Sequence, residues 1–377
     1  MFEAPKIKKE LSLSIVIPCY NEGDTIQETI ETLLASDYKK LDKIVVVDDC
    51  SKDNSYEIIK KLAKKYKKVI ACQTPKNTGC AAGAKNYGAK FVDTEVIGFS
   101  DADSFPEKKA ISSMIGFFSN PRIGAVTSRV LVQNRNTFLS RLQAIEYKVI
   151  AFTRKLLGFV GGIYVTNGPL SIYRKEAFDK VGGFDESNMT EDIEITWHIV
   201  KEGYLVKMAL AAKVYTVVPE TLKVWIRQRI RWNVGGLQTI VHYSKYWLKC
   251  GMLGTFILPF FTFSWLIAIF GLFILIYRVS RAMIVRYLAT SYSVQAQTAI
   301  LSMRDLNLSP NILVFFGVAT LVMSLSFTGL ALLYSKEQQF KRHGLIGVLI
   351  YMFIYLLLYP VVLVTSIYKY LRGYRSW

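Results

Sequence analysis

The sequence predicts an α/β fold: a mostly parallel sheet flanked by helices, followed by amphipathic interface helices and three C-terminal transmembrane helices. Two observations carry this. From residue 13 to residue 100, short apolar runs alternate with amphipathic helical segments, the pattern of βαβ units. Toward the C-terminus, uncharged runs at 254–277, 311–334 and 345–368 each meet the roughly 20 residues needed to cross the hydrocarbon core. Three such runs close together argue against buried soluble helices. Composition agrees. Of 377 residues, 51% are hydrophobic, 22 are Phe and 22 are Tyr, while the formal net charge is +18. Apolarity joined to basicity suggests a membrane protein with a cationic water-facing part. The basic residues are scattered and no nucleic-acid motif accompanies them, so no nucleic-acid partner is expected.

In chain order, "LSIVIP" (13–18) reads as a buried strand, "DTIQETIETLLAS" as a helix and "KIVVVDD" (43–49) as the second strand. Helix "NSYEIIKKLAKKY" follows, then strand "KVIACQT", a Gly/Ala-rich helix (79–91) and strand "EVIGFSD". Ligands of such sheets bind beyond the carboxyl ends of the strands. "PCYNE", "DDCSKD" and "DADS" each sit just past such an end, so three polar clusters converge on one crevice. In 137–158, Phe138, Leu142, Ile145, Val149, Phe152 and Leu156 step by four and three, with Arg141, Lys148, Arg154 and Lys155 among the other positions. That helix packs on the sheet or lies in the membrane interface. In 219–248, Leu222, Ile226, Ile230, Val234, Leu237 and Val241 form a similar stripe that feeds into the first span and reads as interfacial. The expected division is an α/β domain over 1–218, an interface helix over 219–250 and a membrane region over 251–377. Segment 278–310 reads as an interfacial helix or an external loop.

Cys19, Cys50, Cys72, Cys80 and Cys250 form no CxxC pair and no Cys/His cluster. They read as small side chains in a reducing compartment, not as a disulfide framework or zinc site. The opening "MFEAPKIKKELS" has no apolar stretch of signal-peptide length, so nothing in it is expected to direct the N-terminal part across a membrane.

Asp101 and Asp103 stand one residue apart where an apolar strand ends. Alternate strand residues share a face, so both carboxylates can aim at one Mg²⁺ or Mn²⁺, which takes oxygen ligands plus substrate phosphates. A solvated turn is the plainer reading. Asp48 and Asp49 end the second strand, where a carboxylate can accept from a base or ribose or serve the next helix start. Thr190, Glu191 and Asp192 open a helix. They can act as cap and dipole partners, or Asp192 can be a partly desolvated general base. Gln228, Arg231 and Trp232 share one helix face, offering guanidinium donors for phosphate and a ring to pack on a sugar.

With "VIPCYNE" (16–22), "VVDDCSKD" (46–53), "DAD" (101–103), "TED" (190–192) and "QRIRW" (228–232) in this order, the chain resembles glycosyltransferase family 2. Within it, the chain is similar to the membrane-bound branch of hyaluronan, chitin, cellulose and poly-N-acetylglucosamine synthases. "NGPLSIYRKEAF" (167–178) and "GGFDE" (182–186) add to a similarity that covers about residues 11–250. The resemblance implies a GT-A fold, which is Rossmann-like, and an inverting transferase that uses a UDP-sugar at the cytosolic face of the cell membrane. It implies Tyr20, Glu22, Asp48, Asp49 and Asp101 at the nucleotide, and Asp101 and Asp103 at the metal. Asp192 would be the base with Glu191 beside it, and Gln228, Arg231 and Trp232 would close over the diphosphate and acceptor. The implied acceptor is a growing polysaccharide or, as in ceramide glucosyltransferases, a lipid that receives one sugar. A second copy or a partner subunit for export is also implied. A non-catalytic basic scaffold would have lost some of these acids, and all remain. Where many processive members carry a lysine, this chain has Cys80, with Lys85 further along the same helix.

Overall fold

β1 (Leu13–Cys19) and β2 (Leu41–Asp48) are near-continuous apolar runs, as expected of strands covered on both faces. They pair in parallel, and β3 (Val69–Gln73) and β4 (Val96–Phe99) join in parallel on either side. The crossovers are α1 (Ile26–Leu34), α2 (Ser55–Lys65) and α3 (Ala81–Ala89), each in an expected helical segment. The computed structural model describes residues 4–297, 312–334 and 346–374.

β5 (Ser104–Pro106), β6 (Ile123–Val132), β7 (Ser171–Arg174) and β8 (Leu205–Thr216) complete an eight-stranded sheet of order β3-β2-β1-β4-β7-β6-β8-β5. β7 and β5 run against their neighbours and the other strands share one direction, so the sheet is mostly parallel. One face carries α1, α2 and α4 (Ala110–Ile115) over a core that includes Ile15, Ile17, Ile30, Ile59 and Met114. The other core includes Val16, Val47, Phe99 and Trp197, and extends through Tyr243 to Leu253, Ile257 and Leu258. It lies beneath α3, α6 (Lys175–Lys180) and α7 (Glu191–Lys201). Because the apolar contacts are continuous, the base of the first long apolar helix is held in the core of the α/β domain.

The two amphipathic helices bury more than their apolar stripes. α5 (Phe138–Val160) begins at Thr137, whose side chain accepts from Ser140 N–H at 3.1 Å. Phe138 is 50% exposed, whereas Lys148 and Arg154, expected among the outward positions, are buried. These two cations point into the protein, while Arg141 of the same helix stays exposed. Arg154 Nη1 donates to the Asn167 side chain. α8 (Leu222–Tyr243) buries Ile230 and Val234 of its stripe, leaves the stripe ends Leu222 and Val241 exposed, and also buries Trp225, Arg229, Gly236 and Tyr243 off the stripe. The reason is that α8 has neighbours on more than one side, including α7 and the C-terminal helices.

Among the described residues, three helices are long and apolar enough to cross a membrane: Leu253–Gln295, Phe315–Tyr334 and Ile346–Leu371. The α-helical parts are α9 (Leu258–Gln295) and α10 (Ile312–Tyr334), and the third is α11 (Ile346–Leu371). Residues 311 and 345, the expected starts of two spans, lie outside the described residues. Through Gln295 the 278–310 segment is a continuation of α9, not a separate helix or loop, and residues 298–310 lie outside the described residues. At 38 residues α9 is about 57 Å long, against a hydrocarbon core of about 30 Å. The helix therefore outruns the span.

Candidate active site

The loops after β1 and β2 are fastened to each other. Asn21 and Cys50 take left-handed backbone angles, with φ of 55° and 59°, a conformation that non-glycine residues hold only when the surroundings fix it. Here the surroundings do so: Asn21 N–H donates to Ser51 Oγ at 3.0 Å, and Lys52 N–H donates to Asn21 Oδ1 at 2.8 Å. Tyr20 projects from this junction 44% exposed. Asp48 is buried, accepting from Ser51 N–H at 3.2 Å and Gln73 Nε2 at 2.9 Å, while its Oδ1 has no partner. The Asp49 carboxylate is engaged by Thr74 Oγ1 at 2.7 Å, Thr78 N–H at 3.0 Å and Thr78 Oγ1 at 2.8 Å. Asp49 thus shapes the 74–78 loop as well as standing at the strand end.

Asp101 and Asp103 do not share a strand face. β4 stops at Phe99 and the pair occupies the turn before β5. The turn still brings them together: burial, then the charges of Asp101 and Glu22, push the Asp103 carboxyl up to about 7. Burial also raises Glu22, against the opposing hydrogen bond from Thr25, with Asp101 adding to the rise. The Asp101 side chain is 36% exposed and opens to the crevice. Gly168 closes over it so tightly that an added Cβ would lie 2.3 Å from Asp101 Oδ2.

Lys85 is the counter-charge. Only 2% exposed, its ammonium donates to Glu191 Oε1 at 2.7 Å and stands 3.7 Å from Asp101 Oδ1. Burial would lift the Glu191 carboxyl, but the Lys85 cation outweighs it and holds the group below the ordinary Glu range. Asp192, the next residue, is pushed the other way. Burial and the Glu191 charge raise its carboxyl to about 7, against the pull of Lys85. Two adjacent acids at one helix start are thereby driven apart, one ionised and one able to take a proton near neutrality. The Thr190 side chain does not cap α7, because it faces α8 instead.

The "QRIRW" stretch enters from α8. Arg231 acts on both Asp101 and Glu191, holding each carboxyl lower than it would otherwise lie. Gln228 and Trp232 are tied to Arg229, a residue that the face argument passed over. Arg229 Nη1 donates to Gln228 Oε1 at 2.7 Å, and its guanidinium lies 4.0 Å from the Trp232 ring centre. α8 is docked on the loop before α7 by Asn188 Nδ2 to Thr239 Oγ1 at 3.0 Å and by Met189 N–H to Gln238 Oε1 at 2.9 Å. At that contact a Cβ on Gly235 would fall 2.2 Å from Thr190 Oγ1. Gly235→Ala is therefore expected to lower thermal stability by about 1–3 kcal/mol, the usual cost of overpacking, read as a lower unfolding midpoint of the full chain.

The structure thus collects Glu22, Asp101, Asp103, Glu191, Asp192 and Arg231 at one end of the sheet. Asp101 and Asp103 supply hard oxygen donors where acidic charge is crowded, which fits a divalent cation. Among the described residues no group of three or more His, Cys, Asp or Glu side chains is placed to hold an ion. Sequence reasoning gave Lys85 no partner and missed Gly168 and Arg229. "NGP" and the second position of "QRIRW" carried those two.

Residues 14–182 match the family described as Glycosyl transferase family 2. Over 231 residues, 61% of this chain, the sequence is 32% identical to a poly-beta-1,6-N-acetyl-D-glucosamine synthase of Staphylococcus aureus. It is 32% identical to the Staphylococcus epidermidis protein of that name over 251 residues, or 66% of this chain. The matched stretches span 55% and 60% of those relatives' lengths. Among solved structures, the mannosyltransferase PcManGT from Pyrobaculum calidifontis, in complex with GDP-Man and Mn2+, superposes with a TM-score of 0.62. That likeness covers 99% of this chain and 90% of the other at 18% identity, and shows a shared fold. The chain carries a glycosyl transferase family 2 domain over residues 14–182.

Proposed function

We propose that the chain is an inverting membrane glycosyltransferase that uses a UDP-sugar and a divalent metal at the cytosolic face to extend a β-linked polysaccharide. One observation carries the reading: the buried Lys85 ammonium stands 3.7 Å from Asp101 Oδ1 and 2.7 Å from Glu191 Oε1, so the Asp101–Asp103 turn and the Glu191–Asp192 helix start meet at one crevice. The polymer and its sugar are supported by the name shared by the staphylococcal relatives, which makes N-acetylglucosamine the first donor to test.

The reaction is a single displacement. Asp192 takes the proton of an acceptor hydroxyl as its oxygen bonds to the anomeric carbon from the side opposite the nucleotide. The bond from that carbon to the diphosphate breaks, and the diphosphate leaves with the electron pair. Arg231 stabilises the charge that builds there, as fixed donors do in a low-dielectric site. A divalent metal held by Asp101 and Asp103 would supply further neutralisation of the diphosphate. Tyr20, Glu22, Asp48 and Asp49 form the nucleoside end, and Gln228 and Trp232 the acceptor end.

Incubation of membranes with radiolabelled UDP-N-acetylglucosamine is expected to give UDP and a ladder of polymer lengths. A single lipid-soluble product would replace polymerisation by one-sugar transfer to a lipid. A chelator is expected to stop UDP release, with recovery on adding Mn²⁺ or Mg²⁺. Release that persists in the chelator would remove the metal from the reading.

A further inference from the structure

α11 contains a π-helical turn at Tyr351–Tyr355, a rare distortion that frequently marks a functional site. From it, Tyr355, 1% exposed, donates to Glu146 Oε2 of α5 at 2.6 Å and accepts from Trp225 Nε1 of α8 at 2.7 Å. Tyr359, one turn on, bonds the other Glu146 oxygen and accepts from Arg229 Nε at 2.9 Å. Arg229 Nη2 closes the ring on Glu146 Oε2 at 2.7 Å. Glu146 and Arg229 are 3% and 1% exposed, so this is a desolvated ion pair whose geometry is set by tyrosines from an apolar helix. Beyond the ring, Arg229 reaches Gln228 and lies over Trp232.

We propose that Glu146 and Tyr355 are positioning residues for sugar transfer. With Tyr359 they fix the planar Arg229 guanidinium, and Arg229 in turn fixes Gln228 and Trp232 against the acceptor. The inference rests on the glycosyltransferase reading and extends it: the third apolar helix is part of the machinery and not only an anchor. An Arg fork bonded at Nε and at both terminal nitrogens has no freedom to turn. Removing one partner frees it, and with it the two side chains that it holds.

The test uses the full chain in membranes with UDP-N-acetylglucosamine, Mn²⁺ and a β-linked N-acetylglucosamine oligosaccharide. Tyr355→Phe and Glu146→Gln are compared with wild type and with Phe353→Leu, an exposed position on the same helix. The expected result is a fall in kcat of about tenfold or more and a raised KM for the oligosaccharide. Donor affinity should be unchanged, and Phe353→Leu should behave as wild type. Transfer at the wild-type rate in Tyr355→Phe overturns the proposal. So does a loss of donor binding in step with transfer, which means a merely structural role. Should Glu146→Gln fail to accumulate, Tyr355→Phe carries the test, since it removes a single oxygen. If wild type releases no UDP from any sugar donor, the glycosyltransferase reading fails first, visibly and before any variant is compared, and the proposal falls with it.

Discussion

Asp192→Asn is expected to stop sugar transfer while leaving the UDP-sugar bound. The substitution keeps the shape of the side chain and its contact with Ile193 N–H at 2.9 Å, but removes the capacity to accept a proton. Positioned general bases contribute typically about 10²–10⁴-fold, and kcat should drop by that order. The donor is held through other groups, so its affinity should stay near wild type in equilibrium binding. The pH profile supplies a second measurement. Burial and the Glu191 charge raise the Asp192 carboxyl to about 7. A raised acid is protonated, and so inactive as a base, below that value, and becomes active as pH climbs through it. Wild-type kcat should therefore fall on the acid side of about pH 7, well above the range of an ordinary Asp. A kcat that is flat down to pH 5, or a fully active Asp192→Asn enzyme, would remove Asp192 from the mechanism.

Gly168→Ala is expected to disable the donor end. The new Cβ would fall 2.3 Å from Asp101 Oδ2 and 2.7 Å from Oδ1. The carboxylate must swing away, because the glycine is held by its own carbonyl, which accepts from Asp101 N–H at 3.2 Å. Swinging away moves Asp101 from Asp103 and from Lys85 together. A displacement of about 1 Å in such a group costs about 10²-fold in rate, and here a weaker response to metal should accompany it. Titrating Mn²⁺ against UDP release is the check: the variant should need more metal and reach a lower plateau. A variant that matches wild type in both would show that the close approach of Gly168 has no part in binding.

The acids were legible because they carry sequence signals that survive without a fold: carboxylates after apolar strands, and a helix opening on two acids. Strands β6, β7 and β8 were not singled out by reading 13–100 as the alternating part of the chain, since they lie among helices with another order. α5 packs against β6 and β8, one of its two expected placements, but the burial of its cations was not foreseen, because an apolar stripe of step three and four says which face is oily, not what the charged face meets. Lys148 and Arg154 meet protein. Arg229 was passed over because a cation beside two other arginines looks solvated until its carboxylate, 83 residues away at Glu146, is in view.

The sequence by itself determined the parallel βαβ core, the three apolar helices and the identity of the acids at the strand ends, because period and residue type are local properties. Tertiary structure alone decided the partners and charge state of those acids. Lys85 pairs with Glu191, burial and the Glu191 charge leave Asp192 raised, Gly168 closes on Asp101, and Tyr359 of the last apolar helix accepts from Arg229. Charge and hydrogen bonding act through space, and no spacing along the chain records which distant partner lies within reach.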